Sequence, residues 1–205
     1  MEKATLKAGI IGSGFAARFH LEALRRVSGV KVDIVGAWSR NAEKLKRFAA
    51  EKEIPVAASL EQLINDADVL HLCTPPVTHE PLTIDVLHKN KSVIIEKPFT
   101  GYFGDGTENF NGDTFPRETG LQHALESIRR MLDAEKASKG TIMYAENWVY
   151  APAIQKEREI IEKTNAQILW MHAEESHSGS HSPDYGKWRL SGGGSLMGKG
   201  CHPLA

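Results

Sequence analysis

The sequence predicts an α/β chain built on a parallel sheet with helices covering both faces. Three observations predict it. Short apolar runs alternate with stretches of helical periodicity, the connections between them are brief, and a glycine-rich turn joins the first run to the first helix. Apolar runs without regular polar alternation suit strands buried on both faces.

Each element follows in order. Ala8-Gly9-Ile10-Ile11 reads as a buried strand, and Phe15 to Val27 as a helix with Phe15, Phe19, Leu24 and Val27 at helical spacing. Val32 to Trp38 is the second strand, and Asn41 caps a helix running through Leu45, Phe48 and Ala49. A brief strand at Val56 to Ala58 and a short helix from Leu60 to Asn65 lead to a buried strand, Val69 to Cys73. A helix over Pro81 to Lys89 precedes the strand Ser92 to Ile95. From Thr100 to Gly120 the pattern breaks into glycines with scattered aromatics, a segment read as an insertion forming a lid, an oligomer contact or a plain loop. A helix from Leu121 to Ser138 and a strand from Thr141 to Ala145 close this unit. A helix after Pro152 runs through Ile154, Ile160 and Ile161, a strand is expected over Gln167 to Glu174, and Cys201 onward reads as the start of a helix. Residues 1–146 are therefore expected to form one domain. Residues 147–205 would begin a second, which the chain leaves incomplete because so short a remnant cannot close its own core.

Composition excludes several classes. The 205 residues are 41% hydrophobic and 25% charged with a net charge of −1, so neither nucleic acid nor an anionic membrane is an expected partner. Cys73 and Cys201 form no metal or disulfide spacing, and the charged N-terminus has no room for a signal peptide. A cytoplasmic protein is expected.

Gly12-Ser13-Gly14-Phe15-Ala16-Ala17 has the form GxGxxA at the first strand–helix junction. The first glycine permits the tight turn, the second lets the backbone approach a pyrophosphate, and Ala17 permits close helix–strand packing. Gly12, Gly14, Phe15 and Ala16 are thus candidate cofactor-binding residues. At the end of the second strand, Trp38-Ser39-Arg40-Asn41 lacks the carboxylate that bonds the adenosine ribose in NAD sites, and Asp33 comes too early. Arg40 can pair with a 2′-phosphate and Ser39 can add a hydrogen bond, so NADP is expected, with NAD second.

Cys73-Thr74-Pro75-Pro76-Val77-Thr78-His79 follows the strand that ends at Cys73, and Glu96-Lys97-Pro98 follows the next. With GxGxxA, these resemble the Gfo/Idh/MocA family of oxidoreductases over residues 1–98, and again near Thr141 to Ile161 and Gly192 to Pro203. The resemblance implies a Rossmann domain followed by a second α/β domain with a mainly antiparallel sheet, with substrate bound between them and homo-oligomers formed through that sheet. It implies that Thr74, Pro75 and His79 line the nicotinamide side, that Glu96 and Lys97 lie beside the cofactor, and that Lys97 is catalytic. In Gly192 to Pro203, His202 matches the proton-transferring histidine, while Gly198 stands where the family usually has Asp. A lysine at a strand end can hydrogen-bond an oxygen whose charge changes during hydride transfer, and imidazole titrates near neutrality.

His172, His177, His181 and His202 raise a metal-site reading, but Gly179 and Pro183 argue against a helix aligning His177 with His181. No metal is expected. Asn147, Trp148 and Tyr150 are further candidates for the cleft. Two readings stay open. The first is an NADP(H)-dependent oxidoreductase acting on a sugar-like or polyol-like substrate, with Lys97 orienting the oxygen and His202 as acid/base. The second is a nucleotide-sensing or catalytically silent binding protein, which Gly198 favours.

Overall fold

The computed structural model describes residues 4–176 and 186–204. Its sheet is parallel throughout, in the order β2 (Lys31–Trp38), β1 (Thr5–Ile11), β3 (Val69–Leu72), β4 (Ser92–Ile95), β5 (Ile142–Tyr144). The strand expected at Val56 to Ala58 is reduced to one parallel bridge between Val56 and Ala37.

Strand order reverses at β1. The chain leaves β1 for β2 in one direction and later builds β3, β4 and β5 in the other. Right-handed crossovers then put the helices on opposite faces. Helices α1 (Phe15–Leu24) and α2 (Ala42–Lys52) contribute Ala17, Leu21, Leu45 and Phe48 to a core with Ala8 and Ile10. On the other face, α3 (Leu60–Asp66), α4 (His79–His88) and α5 (Arg117–Lys136) bring Leu63, Val86, Leu87 and Met131 against Ile11, Leu72 and Ile95. Consecutive residues Ile10 and Ile11 thus serve different cores, as the two-residue period of a strand requires. That is why the strand runs are continuously apolar.

Three expectations change. Phe15 and Phe19 are not on the buried face of α1. They stack on each other at 4.6 Å on its solvent side, where Phe15 is 77% exposed, and Ala17, Leu21 and Leu24 face the core. Gln167 to Glu174 forms no strand. Among the described residues it pairs with neither edge strand, β2 or β5, and Leu169, Trp170 and Met171 stand exposed. Consequently no antiparallel pair occurs among the described residues.

After β5 the chain continues through α6 (Pro152–Thr164). The 100–120 segment is built around aromatic rings. Tyr102 packs against Phe110 and Phe115 at 5.5 and 4.9 Å and stacks on His123 of α5. Phe110 meets the edge of Trp188, the first residue of α7 (Trp188–Ser191), whose Nε1–H donates to the Tyr102 carbonyl at 3.0 Å. The segment is therefore tied to the chain that carries α8 (Gly194–Lys199) and α9 (Cys201–Leu204).

Only Ser127 and Met131 of α5 are buried. Met131→Ala is therefore expected to cost about 2–5 kcal/mol in urea unfolding, while the adjacent Leu132→Ala, on the exposed side, costs under about 1 kcal/mol. Equal losses would show that α5 docks through a different face.

Candidate active site

The glycine-rich turn lies where the C-terminal ends of β1, β2 and β3 meet. Gly12 has φ 126°, and a Cβ there would stand 2.3 Å from the Cys73 carbonyl oxygen. Its N–H donates to the Trp38 carbonyl at 2.8 Å, and the Cys73 N–H donates to the Ile11 carbonyl at 2.8 Å. One residue type fits this crossing. Two residues on, Gly14 opens α1 with no side-chain cap and no acidic residue in the first turn, and a Cβ on it would meet nothing within 4 Å. The first-turn N–H groups around Phe15 and Ala16 thus face open space, the arrangement that takes a phosphate anion.

The Ser13 hydroxyl reaches the Ser39 hydroxyl at 3.2 Å, bringing the end of β2 beside the turn. Arg40 is exposed next to it. The Asn41 side chain is taken, since its oxygen accepts from the Lys44 N–H as the α2 cap. Asp33 pairs in register with Lys7, toward the start of the strand and away from this corner.

After β3, the Thr78 hydroxyl donates to the Thr74 hydroxyl at 2.7 Å, and Thr74 and Pro75 remain partly exposed. His79 departs from expectation. It is fully buried, with Nδ1 at 3.1 Å from the Pro98 carbonyl and Nε2 at 3.0 Å from the Thr74 carbonyl. Its ring lies between two strand-end loops, donating to one of these carbonyls in the neutral form, and offers the cofactor no ring atom. Burial pushes its pKa down, against the opposing pull of those carbonyls.

Glu96 also differs. Both its oxygens turn to protein: Oε1 accepts from His20 Nε2 of α1 at 3.0 Å, and Oε2 accepts from the Lys97 N–H at 2.9 Å. Burial opposes the charge, but these bonds outweigh it and hold the carboxyl below its usual range. His20 Nδ1 in turn meets Nδ1 of His71, on β3, at 2.8 Å. Burial, with His20 adding to it, pushes His71 down to about 3.

Lys97 reaches across to the 198–202 segment, where its Nζ donates to the Gly198 carbonyl at 2.8 Å. Gly198 therefore meets the lysine with its main chain. A carboxylate is supplied from elsewhere. Glu146, two residues beyond β5 and only 4% exposed, accepts from His202 Nδ1 at 2.8 Å and from the Trp148 N–H at 2.9 Å. Sequence reasoning missed Glu146. The usable signal is a carboxylate just past an apolar strand, the same placement as Glu96.

Glu146, Cys201 and His202 each offer a ligand atom within 4.8 Å of the others, a set that could hold a cation. Burial pushes the Cys201 thiol up, although Lys97 pulls the other way, so the sulfur is held protonated. A thiol and a carboxylate already bonded to an amide and an imidazole suit a hydrogen-bonded cluster better than a metal. His177 and His181 lie outside the described residues.

Residues 6–111 match the family model described as "Oxidoreductase family, NAD-binding Rossmann fold", GFO_IDH_MocA. The chain belongs to the Gfo/Idh/MocA family. Within it, the chain is 30% identical over 95 residues to the UDP-N-acetylglucosamine 3-dehydrogenase of Acidithiobacillus ferrooxidans, a match covering 46% of this chain and 29% of that protein. It is 36% identical over 96 residues to the inositol 2-dehydrogenase 4 of Saccharopolyspora erythraea, covering 45% and 27%. The crystal structure of GenD2 from gentamicin A biosynthesis, in complex with NAD, superposes with a TM-score of 0.74 at 20% identity, over 98% of this chain and 52% of that one. This Gfo/Idh/MocA chain thus spans about half the length of GenD2, and its matches cover less than a third of those two dehydrogenases. Among the described residues, no helix is long and apolar enough to cross a membrane.

The buried histidines carry a pH dependence. His71 and His79 have folded values below their ordinary 6.5, so below that pH the unfolded chain binds protons that the folded chain refuses. Their contribution is complete above about pH 6.5 and shrinks as pH falls below it, at about 1.4 kcal/mol per pH unit for each proton, until each folded value is passed, which for His71 is about 3. Urea midpoints measured between pH 7 and pH 5 are expected to fall, and His71→Phe to flatten that slope. An unchanged slope would show that His71 takes up its proton in the folded state.

Proposed function

We propose that this chain carries the cofactor-binding and catalytic half of an NADP(H)-dependent oxidoreductase acting on a carbinol or carbonyl carbon of a sugar-like or polyol-like molecule. The observation that carries the reading is the convergence of Lys97, Glu146 and His202 beyond the strand ends, on the same side of the sheet as the open N-terminus of α1. Open α/β sheets bind ligands at that edge where strand order reverses.

The cradle fits a dinucleotide. Gly12 makes the turn, Gly14 leaves room at the helix N-terminus, and Phe15 and Ala16 contribute first-turn amides. Ser39 and Arg40 suit a 2′-phosphate, and Asp33 lies away from this corner. NAD remains the second choice, and the NAD complex of GenD2 gives it weight. Thr74 and Pro75 border the nicotinamide end.

When bound, the dinucleotide supplies the acceptor or donor of hydride. The protein handles the proton. Glu146 accepts from His202 Nδ1–H, which fixes the tautomer and leaves Nε2 to take the hydroxyl proton in oxidation or return it in reduction. Lys97 bonds the reacting oxygen and stabilises the charge that develops on it. Gly198, which favoured a silent relative in the sequence, is answered by Glu146 as the buried carboxylate of this cluster. The dehydrogenase relatives of sugar-nucleotide and inositol specificity support the substrate class. A homo-oligomer and a boundary near residue 146 are proposed with the same reading.

Three substitutions test it in a coupled assay with NADPH or NADP and a sugar and polyol panel. Lys97→Ala is expected to lower kcat by roughly 10²–10³-fold. Glu146→Gln, which removes the charge but keeps the shape, is expected to lower kcat by at least about 10-fold with little change in KM. Arg40→Ala should weaken NADPH binding about tenfold or more and leave NADH binding nearly unchanged. Full turnover by Lys97→Ala would remove it from the chemistry, and equal loss of both coenzymes by Arg40→Ala would remove the 2′-phosphate contact.

A further inference from the structure

His20 belongs to none of the groups assigned so far, yet it joins the two halves of the site. It lies on α1, the helix whose N-terminus forms the cradle, and its side chain is only 12% exposed. Its Nε2 is 3.0 Å from Glu96 Oε1, and the other oxygen of that carboxylate holds the Lys97 N–H at 2.9 Å. The Nζ of the same lysine ends 2.8 Å from the Gly198 carbonyl. One carboxylate therefore spans the dinucleotide helix and the main chain of the lysine.

The ring of His20 is held from behind. His71 meets it edge-on, with ring centroids 5.1 Å apart at 87°, and the two Nδ1 atoms are 2.8 Å apart. Only one of those atoms carries the shared proton. The second nitrogen of His71, Nε2, is buried with no hydrogen-bond partner among the described residues. An orphaned acceptor costs less than an orphaned N–H, so the proton belongs on His71 Nδ1. His71 then donates to His20 Nδ1, and His20 must carry its own proton on Nε2, facing Glu96. The direction of the chain is set: His71 to His20 to Glu96, with the Lys97 amide donating from the far side.

We propose that His20 is a positioning residue, which acts through Glu96 to hold the Lys97 backbone at a fixed offset from the dinucleotide helix. The inference rests on the reading of Lys97 as catalytic. A displacement of about 1 Å between reacting groups is enough to cost up to 10²-fold in rate, so an offset set through one carboxylate matters. The bond also resists the alternative fate of Glu96. Without a donor from α1, its partly buried charge keeps only the Lys97 amide of these two partners, and the carboxylate will swing toward another partner and loosen its hold on the Lys97 main chain.

The test compares His20→Leu, which keeps volume and loses both nitrogens, with His20→Gln, whose amide can still donate to Glu96. In the 205-residue chain, NADPH affinity is followed by fluorescence titration. Turnover is followed with whichever of inositol or UDP-N-acetylglucosamine the parent oxidises faster, and the Lys97 amide by two-dimensional NMR. His20→Leu is expected to lower kcat between about 10-fold and 100-fold with NADPH affinity within about twofold of the parent, and to shift the Lys97 amide proton upfield. His20→Gln is expected to restore most of both. In a Lys97→Met background, His20→Leu should add no further loss. Parental turnover in His20→Leu, an unmoved Lys97 amide, or a full further loss in the Lys97→Met background would overturn the proposal. If the parent oxidises neither substrate, the NMR comparison still decides the positioning role, and the failure then falls on the substrate reading alone.

Discussion

The approach of Gly12 to the Cys73 carbonyl fixes where everything else begins. With 2.3 Å between that oxygen and any added Cβ, the end of β1 and the end of β3 touch with no side chain between them. The parallel ladder between these strands keeps both ends level, so the turn that starts α1 and the loop that leads to Thr74 leave the sheet side by side. The cradle and the chemistry share one rim because of this contact. A bulkier residue would separate the strands at the point where their order reverses.

A buried carboxylate, Glu146, and a partly buried one, Glu96, organise the rim in parallel ways. Glu96 follows β4 and Glu146 follows β5, each takes a histidine from another part of the chain, and each also accepts a backbone N–H close by in sequence. Burying such a charge is unfavourable unless donors surround it. Each carboxylate thereby selects one geometry for the loop that carries it. His20 and His202 are the two histidines so held, one from the helix that begins the fold and one from the segment that closes over Lys97.

Much of this was legible in the sequence, and the exceptions have physical causes. Apolar runs gave the strands because both faces of this sheet are covered, and the GxGxxA turn gave the cradle because only glycine tolerates the Gly12 crossing. Phe15 and Phe19 misled because helical spacing identifies a face without saying which neighbour it meets, and Ala17 with Leu21 packs closer to β1. The run at Gln167 to Glu174 has strand composition but joins neither sheet edge, and its apolar side chains stay exposed instead of meeting a core. The resemblance puts His79 and Glu96 beside the cofactor, whereas the His79 ring and both Glu96 oxygens meet protein, and a single sequence does not record such contacts. Glu146 has a placement signal just past β5, but its pairing had none, because its partner His202 is 56 residues away.

The indole of Trp188 has a consequence for how the chain can vary. A Cβ at Gly112 would fall 2.1 Å from that ring, and one at Gly193 would fall 2.7 Å from it. The ring is thus wedged between two bare stretches of backbone that belong to distant parts of the chain. Any drift toward a larger residue at either glycine requires a smaller one at position 188 in the same lineage. These three sites are therefore expected to change together or not at all across descendants of this gene.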